Sequence, residues 1–432
     1  MAADSYTTFA GMANDAPNVY IARKMIELLN RMLVLDKCSD PFPLENGNSK
    51  TLRVVRVRRV SLPNTPLIEG VTPSTDALTL ENVDVTVEQW GLIVTLTDML
   101  ELTVQHPMLS IAIERVAMAM KETSEREDAE VLMGATNVTF PGAVTTRSGL
   151  AASDIFNTAL AIAVNAKLEM RGAHKYMDNG GYYMGFFQPP HKAAILGSDA
   201  TFQAASNFAK QDRLMYGRVG EWMGIEWIMG NFLPVYVGVA AATTAAVTAT
   251  KAQYTVGTSG TLATANYQLK VVAREITTDY ERRISVQTGN IAVTSPGSIT
   301  VVMPSSVNYV YDVYLTQAAG TIAYLVASRQ AASSTFTITT APAGTEAVAP
   351  EAPALGVNVY TGFVLGKGAF GTCTLNGMSL QTFTTPKGPT DSDALAQRRK
   401  VGVKYARKSF ILDNTYIERF ETSSAFAAAI PA

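Results

Sequence analysis

Apolar positions along this chain recur with two periods, and the switches between them divide it. From Pro107 to Met133, Leu109, Ile113, Val116 and Met120 fall at three- and four-residue steps, the spacing of a one-sided helix. Pro107 at its first position and Gly134 just past its end supply the start and stop signals. Such a helix is roughly 40 Å long at 1.5 Å per residue. From Lys121 to Glu130 every position but Ala129 is polar, with Glu122 four before Arg126 and Lys121 four before Glu125. The pattern predicts a helix with an apolar first half and a water-facing second half, either a strut along one face of a thin molecule or an ordinary surface helix with a solvated end.

Upstream, Asn18–Lys37 places Ile21, Met25, Leu28, Leu29, Met32 and Leu35 on one side of an amphipathic helix, ended by Asp40-Pro41-Phe42-Pro43. Period two follows. Lys50–Val60 is β-rich and carries Arg53, Arg56, Arg58 and Arg59. Asn82–Thr97 alternates Val83, Val85 and Val87 against Asp84, Thr86 and Glu88. Between them lies a proline-containing tip with Glu69. This reads as a two-stranded ribbon in which a basic strand pairs with an acidic one; the alternative for the arginines is a nucleic-acid patch. An isolated ribbon is marginal in water, and the sequence offers no surface for it within the chain.

After the long helix, Asn137–Gly149 is a loop and Ser153 caps a helix over Asp154–Arg171. Asn179-Gly180-Gly181 turns into a strand at Tyr182–Phe187. Pro189 and Pro190 open a helix through Leu196. Val219–Phe232 is a turn and strand anchored by Trp222 and Trp227. Near Val237 charge falls and Thr, Ala, Val and Ser dominate to Tyr360. Short β-runs recur there, among them Tyr267–Glu275, Ser298–Met303 and Tyr309–Leu315. Their even spacing predicts an antiparallel sandwich, as a separate module or as an extension of the preceding sheet. Two strands close the chain, Val401–Phe410 and Tyr416–Glu421. Arg398, Arg399, Lys400, Lys404, Arg407 and Lys408 in or before the first form a solvated face or a surface for acidic partners.

A length of 432 residues predicts two to three domains, and a net charge of -2 does not imply a generally basic nucleic-acid-binding surface. Cys38 and Cys373 stand apart, outside any metal-binding spacing, and read as free thiols. Met1–Ala16 lacks the layout of a secretory signal, and no apolar run reaches membrane-spanning length. Gly366-Lys367-Gly368-Ala369-Phe370-Gly371 matches a dinucleotide fingerprint, but a strand-like Thr-Cys-Thr-Leu follows where a helix is required. His106, His174 and His191 have no ligand spacing. The residues point to no enzyme, no cofactor and no metal.

The stretches Thr65–Pro73 (TPLIEGVTP), Glu88–Thr103 (EQWGLIVTLTDMLELT), YYMGFFQPP, RVGEWMGIEWI and ALAQRRKVGVKYARKSFILDNTYIERFE occur in an order that resembles the major capsid proteins of tailed bacteriophages. The chain is similar to the podophage-type family of that Hong Kong 97-like fold. The resemblance covers most of 18–236 and 361–422, and Val237–Tyr360 departs from it as an insert. It implies an α+β fold with an N-terminal arm (1–50), an extended loop (51–96) and a peripheral domain (97–150 and 384–432) whose spine is Pro107–Met133. An axial domain (151–236 and 361–383) and an immunoglobulin- or fibronectin-like insertion (237–360) complete it.

The same resemblance implies hexamers and pentamers of an icosahedral shell around double-stranded DNA, assembled in the host cytoplasm. Portal, scaffolding and decoration proteins are further expected partners, and no membrane is involved. Candidate contacts between subunits are Arg53, Arg56, Arg58, Arg59, Glu69, Asp84, Glu88, Glu122, Arg126, Arg398, Arg399 and Lys404. One member of the fold class cross-links a loop lysine to a neighbour's asparagine; no lysine lies between Pro63 and Val87 here, so no such bond is expected. Alternatives are an encapsulin-like nanocompartment shell, a nucleotide-binding enzyme using Gly366–Gly371, and a host-surface adhesin.

Overall fold

The structure is a computed structural model. It describes residues 35–45, 47, 49–57, 60, 66, 69–70, 77–103, 108–176, 180–200, 220–230, 233–238, 254–276, 280–285, 287–306, 308–354, 356–376, 378, 380–384, 395 and 397–424. Most of the expected Asn18–Lys37 helix, Pro107, His106, Arg58 and Arg59 lie outside the described residues. The chain divides into two compact units.

Among the described residues the first unit holds Ser39–Asp128 and Phe370–Leu412. Its centre is the strand Arg398–Ile411, longer than expected. Glu88–Thr97 pairs antiparallel along one edge, from Arg398↔Thr97 to Arg407↔Glu88. The other edge carries Phe370–Leu375 and Gln381–Thr384, and Asp40–Leu44 adds in parallel to Phe370–Leu375. Phe370–Leu375 and Gln381–Thr384 therefore belong here, whereas the expected axial grouping put 361–383 with 151–236. One face of this sheet packs on the long helix, observed as Met108–Met133. Val116 and Met120 meet Val403, Tyr405, Trp90 and Val94 there.

The ribbon is shorter than its sequence suggests. Thr51–Val57 pairs only with Leu80–Thr86, and Glu88 begins a strand of the sheet instead. The expectation that the chain offers the ribbon no surface is corrected. Alternation sends Leu52, Val54, Val83 and Val85 to one side, where they pack with Phe410, Cys373 and Leu44. Arg56 Nη1 also donates to the Leu412 carbonyl at 3.2 Å. The opposite face remains open.

The second unit is built on one eleven-stranded sheet. Val359–Leu365 lies at its middle, fully buried, between Tyr183–Phe187 and Ile417–Thr422. Ile225–Met229 adds in parallel to Tyr183–Phe187. A helix over Thr158–Met170 buries Leu160, Ala161, Val164 and Leu168 against Phe156, Trp222, Trp227 and Phe420. It starts later than expected: Asn157, not Ser153, is its N-cap and accepts from the Leu160 amide at 2.9 Å.

The expected sandwich strands are present, but the module is not a separate one. Leu269–Glu275, Glu281–Ile284, Tyr309–Thr316 and Ala323–Gln330 form one layer. Glu281–Ile284 then pairs in parallel with Val235–Tyr236, which joins that layer to the central sheet. Tyr254–Leu262, Gly297–Val302 and Thr335–Ile338 make the facing layer. Tyr267, Val271, Ile299, Tyr311 and Val313 fill the space between them.

Candidate functional site

No group of three or more His, Cys, Asp or Glu side chains that could hold a metal occurs among the described residues. Gly366 and Gly368 serve a turn. A Cβ on Gly366 would lie 2.9 Å from the His174 carbonyl, and Gly368 has φ +78°. Both cysteines are free and buried. No helix among the described residues is long and apolar enough to cross a membrane. What the molecule does build is a set of buried ion pairs and, in the first unit, exposed apolar surface.

The long helix corrects the expectation of a water-facing second half. Glu125 and Asp128 are buried. Arg407 Nη2 donates to both Asp128 oxygens at 2.6 Å, and Ser409 Oγ donates to Oδ1. Arg407 thus leaves the basic strand's expected solvated face and turns onto the helix, because alternation puts it on the side of Val403 and Tyr405. Beside it, burial raises the Glu127 carboxyl against the opposing pull of Lys408 and Arg407.

In the second unit, Glu421 accepts from Arg147 Nε at 2.7 Å and Nη2 at 2.5 Å. The Arg147 guanidinium also lies 3.6 Å from the Tyr236 ring centroid. Burial works to raise Glu421, yet Arg147 and Arg419 bring it below the usual carboxylate range. Glu418, fully buried, meets Arg171 at 2.6 Å and Lys167 at 3.6 Å. Glu130 joins Arg274 at 2.8 Å and Arg282 at 2.6 Å, both on sandwich strands. Burial pushes Glu130 up, but the two guanidiniums outweigh it and bring it down to about 2. A cavity of about 820 Å³ lies among these groups. Arg147, Arg274, Arg282 and Arg419, which line it, each meet a carboxylate, so these are structural pairs that set the sheet and helix end.

The sequence-derived contact residues fall in several environments. Arg53 pairs with Asp84 at 2.6 Å and Arg56 with Glu81 at 2.6 Å, both within the ribbon and exposed. Glu88 meets Lys408 at 3.0 Å. Glu122, Arg126, Arg398 and Arg399 are half-buried. Glu69 is exposed in a turn with Gly70. The Lys404 ammonium sits 4.9 Å from the Phe383 ring centroid.

Charge-based reading missed the apolar surface. Of the nineteen strongly exposed large hydrophobic residues described, twelve lie in the first unit, the smaller of the two. Val55, Val57 and Leu80 share the ribbon's open face, at 52%, 57% and 59% exposure. Ile93 and Phe383 are exposed on the sheet. The signal was the parity of Arg53, Val55 and Val57, which share one face once Leu52 and Val54 are assigned to the core. Clustered exposed apolar area of this kind marks an interaction surface.

Residues 81–279 match the phage capsid protein family. No curated protein sequence matches significantly. The fold is similar to the capsid of cyanophage P-SCSP1u, with TM-score 0.53 at 13% identity over 94% of this chain and 93% of that one. It is also similar to the capsid of Ralstonia phage GP4, with TM-score 0.52 at 9% identity over 99% of this chain and 100% of that one. The family match spans a little under half of the chain, and the similarity of fold to these two capsids extends over nearly all of it.

Proposed function

We propose that the chain is the major capsid subunit of a podophage-type tailed phage, assembling as hexamers and pentamers into an icosahedral shell around double-stranded DNA. The observation that carries this reading is the uneven exposure of apolar side chains. Twelve of the nineteen strongly exposed large hydrophobic residues described lie in the first, smaller unit, among them Val55, Val57, Leu80, Ile93 and Phe383. Many modest contacts of this kind, repeated by symmetry, sum to a stable closed lattice.

In this reading the ribbon within 51–96 reaches a neighbouring subunit, and 97–150 with 384–432 forms the periphery, with the long helix as spine. Of the expected axial stretches, 151–236 and 361–369 surround each capsomer's axis, and 237–360 is an immunoglobulin-like addition on the outer surface. Portal, scaffolding and decoration proteins are its further partners. Negative-stain microscopy of the chain expressed alone tests the reading. Closed shells or capsomer rings are expected, and a uniformly monomeric product would overturn it.

A further inference from the structure

Two arginines of the sandwich stand face to face. Strand register sets Arg274 of Leu269–Glu275 directly opposite Arg282 of Glu281–Ile284, and both are buried. Like charges opposite one another on neighbouring strands destabilise a sheet, so this pair calls for an anion. Glu130 supplies it. Arg274 Nη1 and Nη2 donate to its two oxygens at 2.8 and 3.1 Å, and Arg282 Nη2 donates to Oε2 at 2.6 Å. Asp312 meets Arg274 at Nε, so two guanidiniums balance two carboxylates.

The two carboxylates are held differently. Asp312 is fully buried. The Glu130 side chain is 41% exposed, against 11% and 6% for the arginines it bridges, and it lines the cavity of about 820 Å³. Glu130 also lies in the last turn of the long helix, where the partial negative charge of the helix end works against a carboxylate. The cations are thus fixed on strands, while the acid that neutralises them is reachable and poorly placed. Guanidinium donors bind phosphate oxygens with the same fork geometry as carboxylate oxygens. We propose that Arg274 and Arg282 form an oxyanion site whose resident occupant is Glu130, and that inorganic phosphate entering the cavity displaces it and frees the helix end from the sandwich. Arg147 and Arg419, which also line the cavity, keep Glu421 as their partner. Such a site operates in the subunit whether or not it assembles.

Calorimetric titration of the full-length chain with sodium phosphate, against sodium chloride at matched ionic strength, tests the site. The unsubstituted chain should bind phosphate saturably but weakly, because the tethered carboxylate competes for the same donors, and chloride should not saturate. Glu130→Gln removes the competitor and should tighten phosphate binding by at least about tenfold. Adding Arg282→Gln should abolish that binding. Should Glu130→Gln melt too low to titrate, Glu130→Asp draws the carboxylate back by one methylene, and phosphate but not chloride should raise its melting temperature. No saturable phosphate binding by the unsubstituted chain, equal affinity with and without the Glu130 carboxylate, or binding that survives Arg282→Gln would overturn the proposal. A duplex oligonucleotide that binds at equal phosphate concentration where the free ion does not would overturn it too, since the ligand would then be polymer backbone.

Discussion

Arg407, on the last long strand, closes on Asp128 of the long helix at 2.6 Å to both carboxylate oxygens, with the aspartate fully buried. The two are 279 residues apart, and the pair fastens the polar half of the helix to the sheet. Removing one partner strands a buried charge, which costs about 3–5 kcal/mol, whereas replacing both with apolar groups of similar volume is often neutral. Asp128→Ala should therefore destabilise the protein strongly. Asp128→Leu with Arg407→Met should recover most of the loss. Denaturant melts of the two singles and the double measure the coupling directly.

His191 supplies a pH dependence. Its ring is buried against Phe156 and Phe420, with centroids 5.4 and 5.3 Å away, and its Nδ1 accepts from the Gln188 amide at 3.1 Å. Burial lowers its pKa from 6.5 to about 3. The unfolded chain takes up a proton below pH 6.5 that the native ring refuses. Its contribution to stability is thus whole above pH 6.5 and declines as the pH falls toward about 3, by up to ~1.4 kcal/mol per pH unit. His191→Gln should flatten the acid limb of a stability–pH curve over that window. An unchanged slope would show that other groups set it.

Gly362 leaves no room for a side chain. It lies on the central buried strand, where a Cβ would fall 2.1 Å from Phe420 Cζ, and that ring stacks on Phe156 at 5.0 Å. Overpacking at such a site costs about 1–3 kcal/mol or more. Gly362→Ala should lower the melting temperature by several degrees, and Gly402→Ala, at an open site, by far less.

Excising 238–358 tests how far the sandwich is architectural. The deletion removes the strand paired with Val235–Tyr236 and both arginines that hold Glu130. The expected product is insoluble or unable to assemble. Normal shells from the shortened chain would show that the sandwich only decorates.

The stretch Pro63–Val87 contains no lysine. Assembled particles boiled in denaturant should run as a single band at the subunit mass. A ladder of covalent multimers would contradict the expectation of a non-cross-linked shell.

Much of the fold was legible along the chain because local period and punctuation specify it. The long helix, the ribbon's first strand, the paired tryptophans and most sandwich strands fall within a few residues of their expected places. What local pattern could not carry was long-range partnership. Asp128 reads as solvated because its counter-ion is on a distant strand. The ribbon seemed to lack support because Phe410 and Cys373 lie more than 280 residues downstream of it. The sandwich reads as separate because the Val235–Tyr236 pairing that joins it to the sheet spans only two residues.

Sedimentation velocity over a hundredfold range of concentration tests the central claim most directly. The account predicts a cooperative threshold above which subunits pass into closed particles of one size, with few intermediates. A single species at the subunit mass, unchanged across the whole range, would contradict it.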